Sequence, residues 1–388
     1  MKDFMFKAPT KLVFGENTAL QMKGILNSFE VRKVFIVTDK VIEKTPSFIT
    51  FAEKLKEDGF VCQIFSDTVA DPPIEVVDAA SEVLKKSEAE MVIAVGGGSS
   101  IDTAKAMCML MTNEGSIREY LFGGSKSVIN KSLPLICVPT TAGSGSEVTA
   151  ASVITDNQHD IKLSVTHEYL IPLYAIIDPV MQIGMPPIIT ASTGMDALTH
   201  AIEAYVSLNA EPVSDAYAEK AISLIGKNIR TATHNPTNLE ARSSMAIASV
   251  LAATAFVNAG LGAVHGIAQS MGGIAHTPHG IANSLLLPYV MEVNLPGNLE
   301  KFAHIAKLLG EHTEGLSLQE QAEKSVLAVR NMSEDNRIPV VLQEVEVTRE
   351  MFPAIVQGTM GYRLLSVNPV KIRETDVYKI LESAYERN

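Results

Sequence analysis

The sequence predicts an α/β N-terminal domain built on a parallel sheet, followed by an all-α C-terminal domain. In the first half, short β-branched runs alternate with helical stretches, which is typical of a parallel sheet with helices on both faces. After Met185-Pro186-Pro187, Ala, Leu, Glu and Ile recur at helical spacing instead. The 388 residues also exceed what one core usually supports. We therefore predict domains of residues 1–187 and 188–388, with a ligand-binding cleft between them.

The predicted strands are short apolar runs, each followed by a stretch of helical spacing. They cover residues 33–38 (KVFIVT), 59–65, 91–95 (MVIAV), 133–138 (LPLICV) and 174–178. From residue 188 onward we expect a helical bundle.

The composition limits the partners of the chain. Its formal charge of -12 repels phosphodiester backbones and anionic lipid headgroups, and no basic run interleaved with aromatics compensates. We therefore expect neither nucleic acid nor a membrane as a partner.

Cys62, Cys108 and Cys137 each stand alone among apolar neighbours, which suits core residues in a reducing compartment. The start, MKDFMFKAPTKLVFG, lacks the apolar run of a secretory signal, so we expect a cytoplasmic protein.

One segment, Met245 to Ala268, is almost uncharged and is long enough to imitate a membrane span. Polar and glycine residues interrupt it at positions 258, 260, 262 and 265. We interpret the segment as a buried pair of helices in the all-α domain.

The segment MVIAVGGGSSIDTAKAM predicts a strand, a glycine turn and a helix. Gly96, Gly97 and Gly98 let the backbone approach a diphosphate, and the helix that follows offers free N–H groups. A dinucleotide pyrophosphate therefore fits this turn. Ser99 and Asp102 form an S-x-x-D capping pattern, and for Asp102 a helix cap and a cofactor contact are alternatives that can also both hold.

Two further segments extend the predicted nucleotide site. Asp39 ends the first strand, where a carboxylate can bind the ribose hydroxyls of an adenosine and repel a 2′-phosphate, which favours NAD over NADP. The loop PTTAGSGSE follows the strand at 133–138, and its hydroxyl groups can line a nucleotide crevice.

A metal site is predicted in the second half. In STGMDALTHAIEAY, a Ser/Thr-led helix start carries Asp196 and His200 four residues apart, so both lie on one helix face. A second apolar helix carries His265, and His279 directly follows Pro278, where a new helix begins. Each lies in an apolar stretch where an unpartnered polar group is costly to bury. One Asp and three His suit Zn²⁺ or Fe²⁺, with a position left for a substrate oxygen.

Two neighbouring residues have open roles. His276, three residues before His279, is a rival ligand or a group near the nicotinamide. Glu203 lies two turns after Asp196, as either a residue behind the ligands or a solvated one.

Together these segments resemble the iron-dependent (group III) alcohol dehydrogenases, the family of lactaldehyde reductase and propanediol dehydrogenase. The resemblance covers essentially the whole chain and rests on GGGSSIDTAKA, PTTAGSGSEVT, GMDALTHAIEAYVS, AVHGIAQSMGG and TPHGIANSLLLPYVM, in the family's order. It implies a dehydroquinate synthase-like architecture, with a Rossmann-like NAD domain, a helical domain, a metal in the cleft and a homodimer. It implies that the metal, with Fe²⁺ favoured over Zn²⁺, has the ligands Asp196, His200, His265 and His279. Matching motif positions imply cofactor contacts at Asp39, Gly97, Gly98, Ser99, Thr140, Thr141, Thr149, Lys162 and Val180.

The sequence departs from the family pattern at two places. Many members carry a second histidine one turn after the third ligand, whereas this chain has Gln269, which can position water but cannot titrate. Where relatives often read Asn-Pro-Arg, this chain has Asn368-Pro369-Val370, and we expect an effect on local packing or pocket shape.

The implied activity is hydride transfer between NAD(H) and a small alcohol or aldehyde, with the metal polarising the substrate oxygen. In reduction, a water or His276 returns the proton. The alternatives are a dehydroquinate synthase-like lyase, a polyol dehydrogenase on the same fold, and a non-catalytic binding protein. The lyase needs several Lys or Arg for its anionic substrate, and the ligand helix from Gly194 to Ser207 has none.

Overall fold

The structure is a computed structural model that describes residues 3–159 and 161–386. The described chain divides into two compact units. The sheet unit comprises Ala8–Thr141 and Gly145–Ile183, and the helical unit comprises the segment ending at Lys7, Ala142–Ser144 and the chain from Gly184 onward. The boundary proposed near Pro187 lies just after Gly184, and the limits 1–187 and 188–388 themselves stay a prediction.

The sheet unit contains a six-stranded sheet in which all neighbouring strands are parallel. Its order is β1-β8-β5-β4-β2-β3, and β6 and β7 form a separate antiparallel hairpin. The strands are β1 (Lys11–Phe14), β2 (Lys33–Val37), β3 (Val61–Phe65), β4 (Met91–Gly96), β5 (Leu135–Pro139), β6 (Ala151–Asp156), β7 (Ile161–Thr166) and β8 (Tyr174–Ile177).

The sequence predicted five of the six strands of this sheet, and the parallel α/β class is confirmed. Strand β3 begins at Val61 rather than at Gly59, because Gly59 has a φ of 95° and ends the preceding turn. Strand β1 and the hairpin were not predicted.

Helices cover the sheet on both faces. They are α1 (Lys23–Ser28), α2 (Pro46–Glu57), α3 (Ile74–Ser87) and α4 (Gly98–Leu110). Val34 and Ile36 of β2 pack in one core with α2, whereas Phe35 and Val37 pack with α3 and α4 in another. Successive side chains of a strand point to opposite faces, so a strand that is apolar throughout is buried on both.

The described part of the helical unit contains helices and no strand, as the sequence predicted. The long helix α5 packs against α6, α7 and α9. The helices are α5 (Pro187–Val206), α6 (Pro212–His234), α7 (Leu239–Ala259), α8 (Ala263–Ile274), α9 (His279–Asn294), α10 (Leu299–Leu308), α11 (Leu318–Asp335), α12 (Phe352–Met360) and α13 (Glu374–Ser383).

Within the described residues, no single helix combines the length and apolarity of a membrane span. Helices α7 and α8 meet those criteria only as a pair, and they are bent by 103° with respect to each other. Most residues of both helices are buried in the core of the helical unit, which agrees with the predicted buried pair.

Candidate metal and nucleotide sites

Three imidazole nitrogens converge on one buried carboxylate in the helical unit. The Nε2 atoms of His200, His265 and His279 lie 3.9, 3.8 and 3.8 Å from Oδ1 of Asp196. Asp196, His200 and His265 are buried, and His279 is half-buried. Ligand atoms of Asp196, His265 and His279 all lie within 4.8 Å of one another. The structure thus brings together the four side chains that the sequence suggested as metal ligands.

Helix geometry explains this convergence. Asp196 and His200 lie one turn apart on α5, so both project from the same face. His265 lies in the first turn of α8, and His279 is the first residue of α9, as its position after a proline predicted. The expected helix start at the Ser/Thr pair before Gly194 is wrong, because α5 already begins at Pro187, where the ring has the φ that a first helical residue needs.

The electrostatics of the site keep available the atoms that could coordinate a metal. Burial lowers the pKa of His200 to about 3, so this imidazole is neutral and retains a lone pair. Burial alone would raise the pKa of Asp196, but the positive charge of the facing imidazoles when they are protonated, together with the amide of Asn283, outweighs burial and lowers that pKa.

The donor set fits a divalent cation. Ligand atoms about 2.1 Å from a tetrahedral ion are about 3.4 Å apart. The three imidazole nitrogens stand 3.8–3.9 Å from the carboxylate oxygen, so a small contraction brings them to that spacing. A single carboxylate with three imidazoles suits Zn²⁺ or Fe²⁺.

Asn283, which the sequence did not single out, lies within this group. Its Nδ2 is 2.6 Å from Oδ1 of Asp196 and 3.1 Å from Nε2 of both His265 and His279. Its Oδ1 is buried and has no hydrogen-bond partner among the described residues. A cation bound to the two imidazole lone pairs would take the place of this amide.

Glu203 is buried behind the ligands rather than solvated. Its carboxylate lies 2.6 Å from Nδ1 of His265 and accepts a hydrogen bond from the backbone N–H of Val264. The solvated role suggested for Glu203 is therefore wrong, and a contact with the candidate ligand His265 is observed.

Two further residues belong to the segments around the site. His276 is exposed in the loop between α8 and α9, with a φ of 52°, and its catalytic role stays a prediction. The ring of Phe256 on α7 lies against the imidazole of His200, with ring centroids 4.6 Å apart. This aromatic ring gives the site an apolar wall.

The glycine turn joins β4 to α4 in the sheet unit. Strand β4 ends at Gly96 and α4 begins at Gly98, so the predicted order of strand, turn and helix is confirmed. A Cβ on Gly96 would lie 2.6 Å from Oγ of Ser100, which only glycine avoids. The N–H groups of the first turn of α4 can therefore face a phosphate.

The threonine loop lies beside the glycine turn. Thr140 and Thr141 directly follow β5, the sheet neighbour of β4. The N–H of Thr140 donates to the carbonyl of Gly96 at 3.0 Å, and a Cβ on Gly97 would touch the methyl group of Thr141 at 3.3 Å. Both loops thus leave the carboxyl edge of the sheet, where open α/β sheets bind ligands.

The expectation that Ser99 and Asp102 cap α4 is wrong. The N-cap is Gly97 and has no side-chain cap bond. Oγ of Ser99 instead accepts a hydrogen bond from the N–H of Asp71 at 3.2 Å. The half-buried carboxylate of Asp102 accepts from Oγ of Ser146 and from the N–H of Val153. Asp102 therefore ties α4 to the segment around β6, and its cofactor contact stays a prediction.

The positions that came only from the family resemblance are tied to the same region. Lys105, buried on α4, donates to the carbonyl and hydroxyl of Thr149 at 2.9 Å and to the carbonyl of Ala151 at 2.8 Å. Lys162 is not a surface lysine, because its side chain is 8% exposed and its Nζ lies 2.6 Å from Oδ1 of Asp71. Sequence patterns did not indicate Lys105 as the partner of Thr149 or Asp71 as the partner of Lys162.

Asp39 and Val180 lie after β2 and β8. One oxygen of Asp39 accepts from the N–H groups of Val41 and Ile42 at 2.8 and 2.9 Å and so closes a turn. The N–H of Val180 donates to Oδ1 of Asp178 at 3.0 Å. Both residues follow strands of the parallel sheet, and their cofactor contacts stay predictions.

The comparisons with known proteins agree with this fold and these sites. The chain is 37% identical over 384 residues to 1,3-propanediol dehydrogenase of Klebsiella pneumoniae, covering 98% of this chain and 99% of that protein. It is 36% identical over 379 residues to NAD-dependent methanol dehydrogenase of Bacillus methanolicus, with the same coverage. The crystal structure of a 1,3-propanediol oxidoreductase superposes with a TM-score of 0.95 at 37% identity, covering 99% of this chain and 100% of that one.

A sheet unit with a glycine turn and a helical unit with a carboxylate and three imidazoles define a dehydrogenase of two-part architecture. The family model described as iron-containing alcohol dehydrogenase matches residues 9–179, and the model of the C-terminal region of the Fe-containing alcohol dehydrogenase family matches residues 190–385. The chain therefore belongs to the iron-containing alcohol dehydrogenase family and is an oxidoreductase of the alcohol dehydrogenase class. These matches favour the dehydrogenase over the lyase alternative.

Proposed function

We propose that this enzyme uses NAD(H) and a divalent metal, Fe²⁺ in preference to Zn²⁺, to interconvert a small alcohol and its aldehyde. The observation that carries this proposal is the convergence of three imidazole Nε2 atoms on Oδ1 of Asp196 at 3.8–3.9 Å. The names of the relatives, which include a methanol and a propanediol dehydrogenase, support a small alcohol as substrate.

The chain's own residues have three tasks in this reaction. Asp196, His200, His265 and His279 would hold a metal, which would supply a Lewis acid for the substrate oxygen, and a bound NAD(H) would supply the hydride acceptor or donor. The four side chains bind the cation. Phe256, packed on His200, presents an apolar surface that excludes water from one side of the substrate. His276, exposed beside α9, exchanges the substrate proton with solvent.

The sheet unit binds the dinucleotide in this proposal. Gly97 and Gly98 admit the pyrophosphate to the N-terminus of α4, with Ser99 at its first turn. Thr140 and Thr141 provide hydroxyl groups beside that turn, and Asp39 accepts hydrogen bonds from the ribose hydroxyls. Asp102, Thr149, Lys162 and Val180 complete the proposed set of cofactor contacts.

We further propose a cytoplasmic homodimer. Strand β1 lies at an edge of the sheet, with Leu12 and Phe14 42% and 45% exposed. An apolar edge strand is a natural surface for pairing with a second copy. Sedimentation equilibrium of the purified protein tests the proposed dimer, and a monomer at working concentration contradicts it.

A comparison of two Asp variants tests the proposed activity. Asp196→Asn should lose both bound metal and NADH formation from small alcohols, as measured by elemental analysis and nicotinamide absorbance. Asp215→Asn is the matched control, because Asp215 is a partly buried carboxylate of the same unit that binds Lys301 at 2.8 Å. The control should keep both properties. Full turnover of metal-free Asp196→Asn protein contradicts the proposal, and binding of NADH without turnover of any alcohol or aldehyde favours a binding protein.

A further inference from the structure

Glu203 contacts two N–H groups of α8 with one carboxylate. It is buried on α5, two turns after Asp196. Its Oε2 lies 2.6 Å from Nδ1 of His265, and its Oε1 accepts a hydrogen bond of 2.7 Å from the backbone N–H of Val264. The carboxylate thus holds both the first turn of α8 and the imidazole that this turn carries.

We propose that Glu203 is a positioning residue that fixes the tautomer and orientation of His265 and thereby sets the metal affinity of the site. The proposal rests on the metal-binding role proposed above. A carboxylate only accepts hydrogen bonds, so Nδ1 of His265 carries the hydrogen and Nε2 keeps its lone pair. That Nε2 faces Oδ1 of Asp196 at 3.8 Å. A histidine whose other nitrogen donates to a carboxylate is a better-oriented and more basic ligand.

The start of α8 depends on outside groups for its caps. Its N-cap, Gly262, contributes no side chain, and a Cβ there would lie 2.6 Å from Oδ1 of Asn368 and 2.9 Å from Oε1 of Glu203. Asn368 caps the N–H of Ala263 at 3.1 Å. Glu203 and Asn368 therefore share the helix start, but only Glu203 also reaches His265. The two roles can be separated by experiment for this reason.

The charge of the site supports the same role. Asp196 and Glu203 contribute two negative charges, and neutral imidazoles add none. A bound divalent cation balances these two charges, which matters in a buried site because an uncompensated charge there is costly. Without Glu203, the buried cation and Asp196 leave one positive charge uncompensated.

Glu203→Gln is the sharpest test because it changes one acceptor and almost no volume. The partners of Glu203 are both N–H groups, and a glutamine amide has one acceptor oxygen where the carboxylate has two. If the amide nitrogen faces His265, it donates to Nδ1 and forces the hydrogen onto Nε2, which can then no longer bind a metal. If it faces Val264, the amide oxygen still accepts from Nδ1, but a neutral amide makes His265 a less basic ligand than a carboxylate does, and the cap that holds the first turn of α8 is lost, so metal affinity falls in this orientation too.

The matched control is Glu211→Gln. Glu211 is also buried, and its carboxylate accepts from the backbone N–H groups of Val213 and Ser214 at 2.8 and 2.7 Å at the start of α6. It thus loses one cap acceptor of the same kind, with no histidine attached.

The metal dissociation constant is measured by competition of Zn²⁺ with a chromophoric chelator, and the absorption spectrum of Co²⁺ reports the ligand geometry. Glu203→Gln should weaken Zn²⁺ binding about 10- to 100-fold and alter the Co²⁺ spectrum, with NADH affinity unchanged. Glu211→Gln should bind Zn²⁺ like the wild type. Equal Zn²⁺ affinity of the wild type and Glu203→Gln overturns the inference, whereas a wild type that binds no metal also overturns the proposed function. Should Glu203→Gln fail to fold, Glu203→Asp serves instead, because its shorter carboxylate cannot reach both N–H groups, and an undiminished affinity again overturns the inference.

Discussion

Lys105 offers a stringent test of how the sheet unit holds the segment that carries Thr149, a proposed cofactor contact. Its ammonium group is fully buried and makes three hydrogen bonds, to Oγ1 and O of Thr149 and to O of Ala151. All three ammonium hydrogens are therefore used inside the protein. Burial lowers the pKa of Lys105, and the carboxylate of Asp102 opposes that shift most.

Lys105→Met keeps the length of the side chain and removes its donors. The carbonyls of Thr149 and Ala151 then lose a buried donor, at about 1–3 kcal/mol each, or about 2–6 kcal/mol together. The variant also no longer buries an ammonium charge, which offsets part of this cost. We expect a net loss of about 2–4 kcal/mol in the free energy of unfolding of the sheet unit.

Urea unfolding measures this loss, and NADH fluorescence titration measures the consequence for the loop that carries Thr149. Lys301→Met is the control, since Lys301 donates to the carbonyl of Tyr205 at 2.6 Å in the helical unit. It should lower stability without changing NADH affinity, whereas Lys105→Met should change both. A Lys105→Met protein within about 0.5 kcal/mol of the wild type, with wild-type NADH affinity, refutes the reasoning.

Three further outcomes follow from the structure. Burial raises the pKa of Glu147 from 4.5 to about 7, so its contribution to stability is full below about pH 4.5 and is lost as pH rises to about 7. The free energy of unfolding of Glu147→Gln, measured in urea, should therefore rise relative to that of the wild type between about pH 5 and about pH 8, by at most about 3 kcal/mol. A difference that does not depend on pH contradicts this. Gly280→Ala should weaken Zn²⁺ binding about tenfold or more, because its Cβ would lie 2.6 Å from the carbonyl of Ser192 and would displace the start of α9 with His279; unchanged affinity counts against it. Asp39→Gly should improve kcat/KM for NADP relative to NAD by about tenfold or more, and an unaltered ratio removes Asp39 from cofactor selection.

The elements that sequence patterns predicted are those whose burial determines their composition. Strands β2, β4 and β5 are apolar on both faces because helices cover both, so they read as continuous apolar runs. Strand β1 has four residues, of which three are exposed, and its pairing with β8 is visible only in three dimensions. Strand β6 of the hairpin alternates between buried and less buried residues, but two of its three buried residues are Ser152 and Asp156, so hydrophobicity does not follow the alternation and the strand did not stand out from the polar loops on either side.

The four candidate metal ligands were accessible from sequence because helix periodicity places them. Asp196 and His200 share a face by their spacing, and a proline marks the helix start before His279. Glu203 lies on the face of α5 that carries Asp196 and His200, and Asn283 lies on the face of α9 that carries His279. Helical spacing therefore placed both near the site, but spacing does not tell which atom a side chain will contact. Their contacts depend on how α8 crosses these two helices.

A buried charged residue in an apolar helix predicts a partner, but not the kind of partner. Arg242 is fully buried, yet its nitrogens donate to the carbonyls of Pro236 and Met185 and to the hydroxyl of Thr190, so it is a structural link within the helical unit. Each of these three acceptors thus receives an N–H donor.

The group of Asp196 and the three histidines differs from Arg242 in the number of hydrogens available to its acceptors. With its hydrogen on Nδ1, each imidazole presents an Nε2 lone pair, and these three nitrogens lie 3.8–3.9 Å from Oδ1 of Asp196, which is itself an acceptor. The amide of Asn283 approaches three of these four atoms and has only two hydrogens to donate. A buried cluster with more acceptors than donors is destabilised unless a positive charge enters it. The excess of acceptors, more than the presence of histidine, is therefore the physical reason to expect a cation at this site.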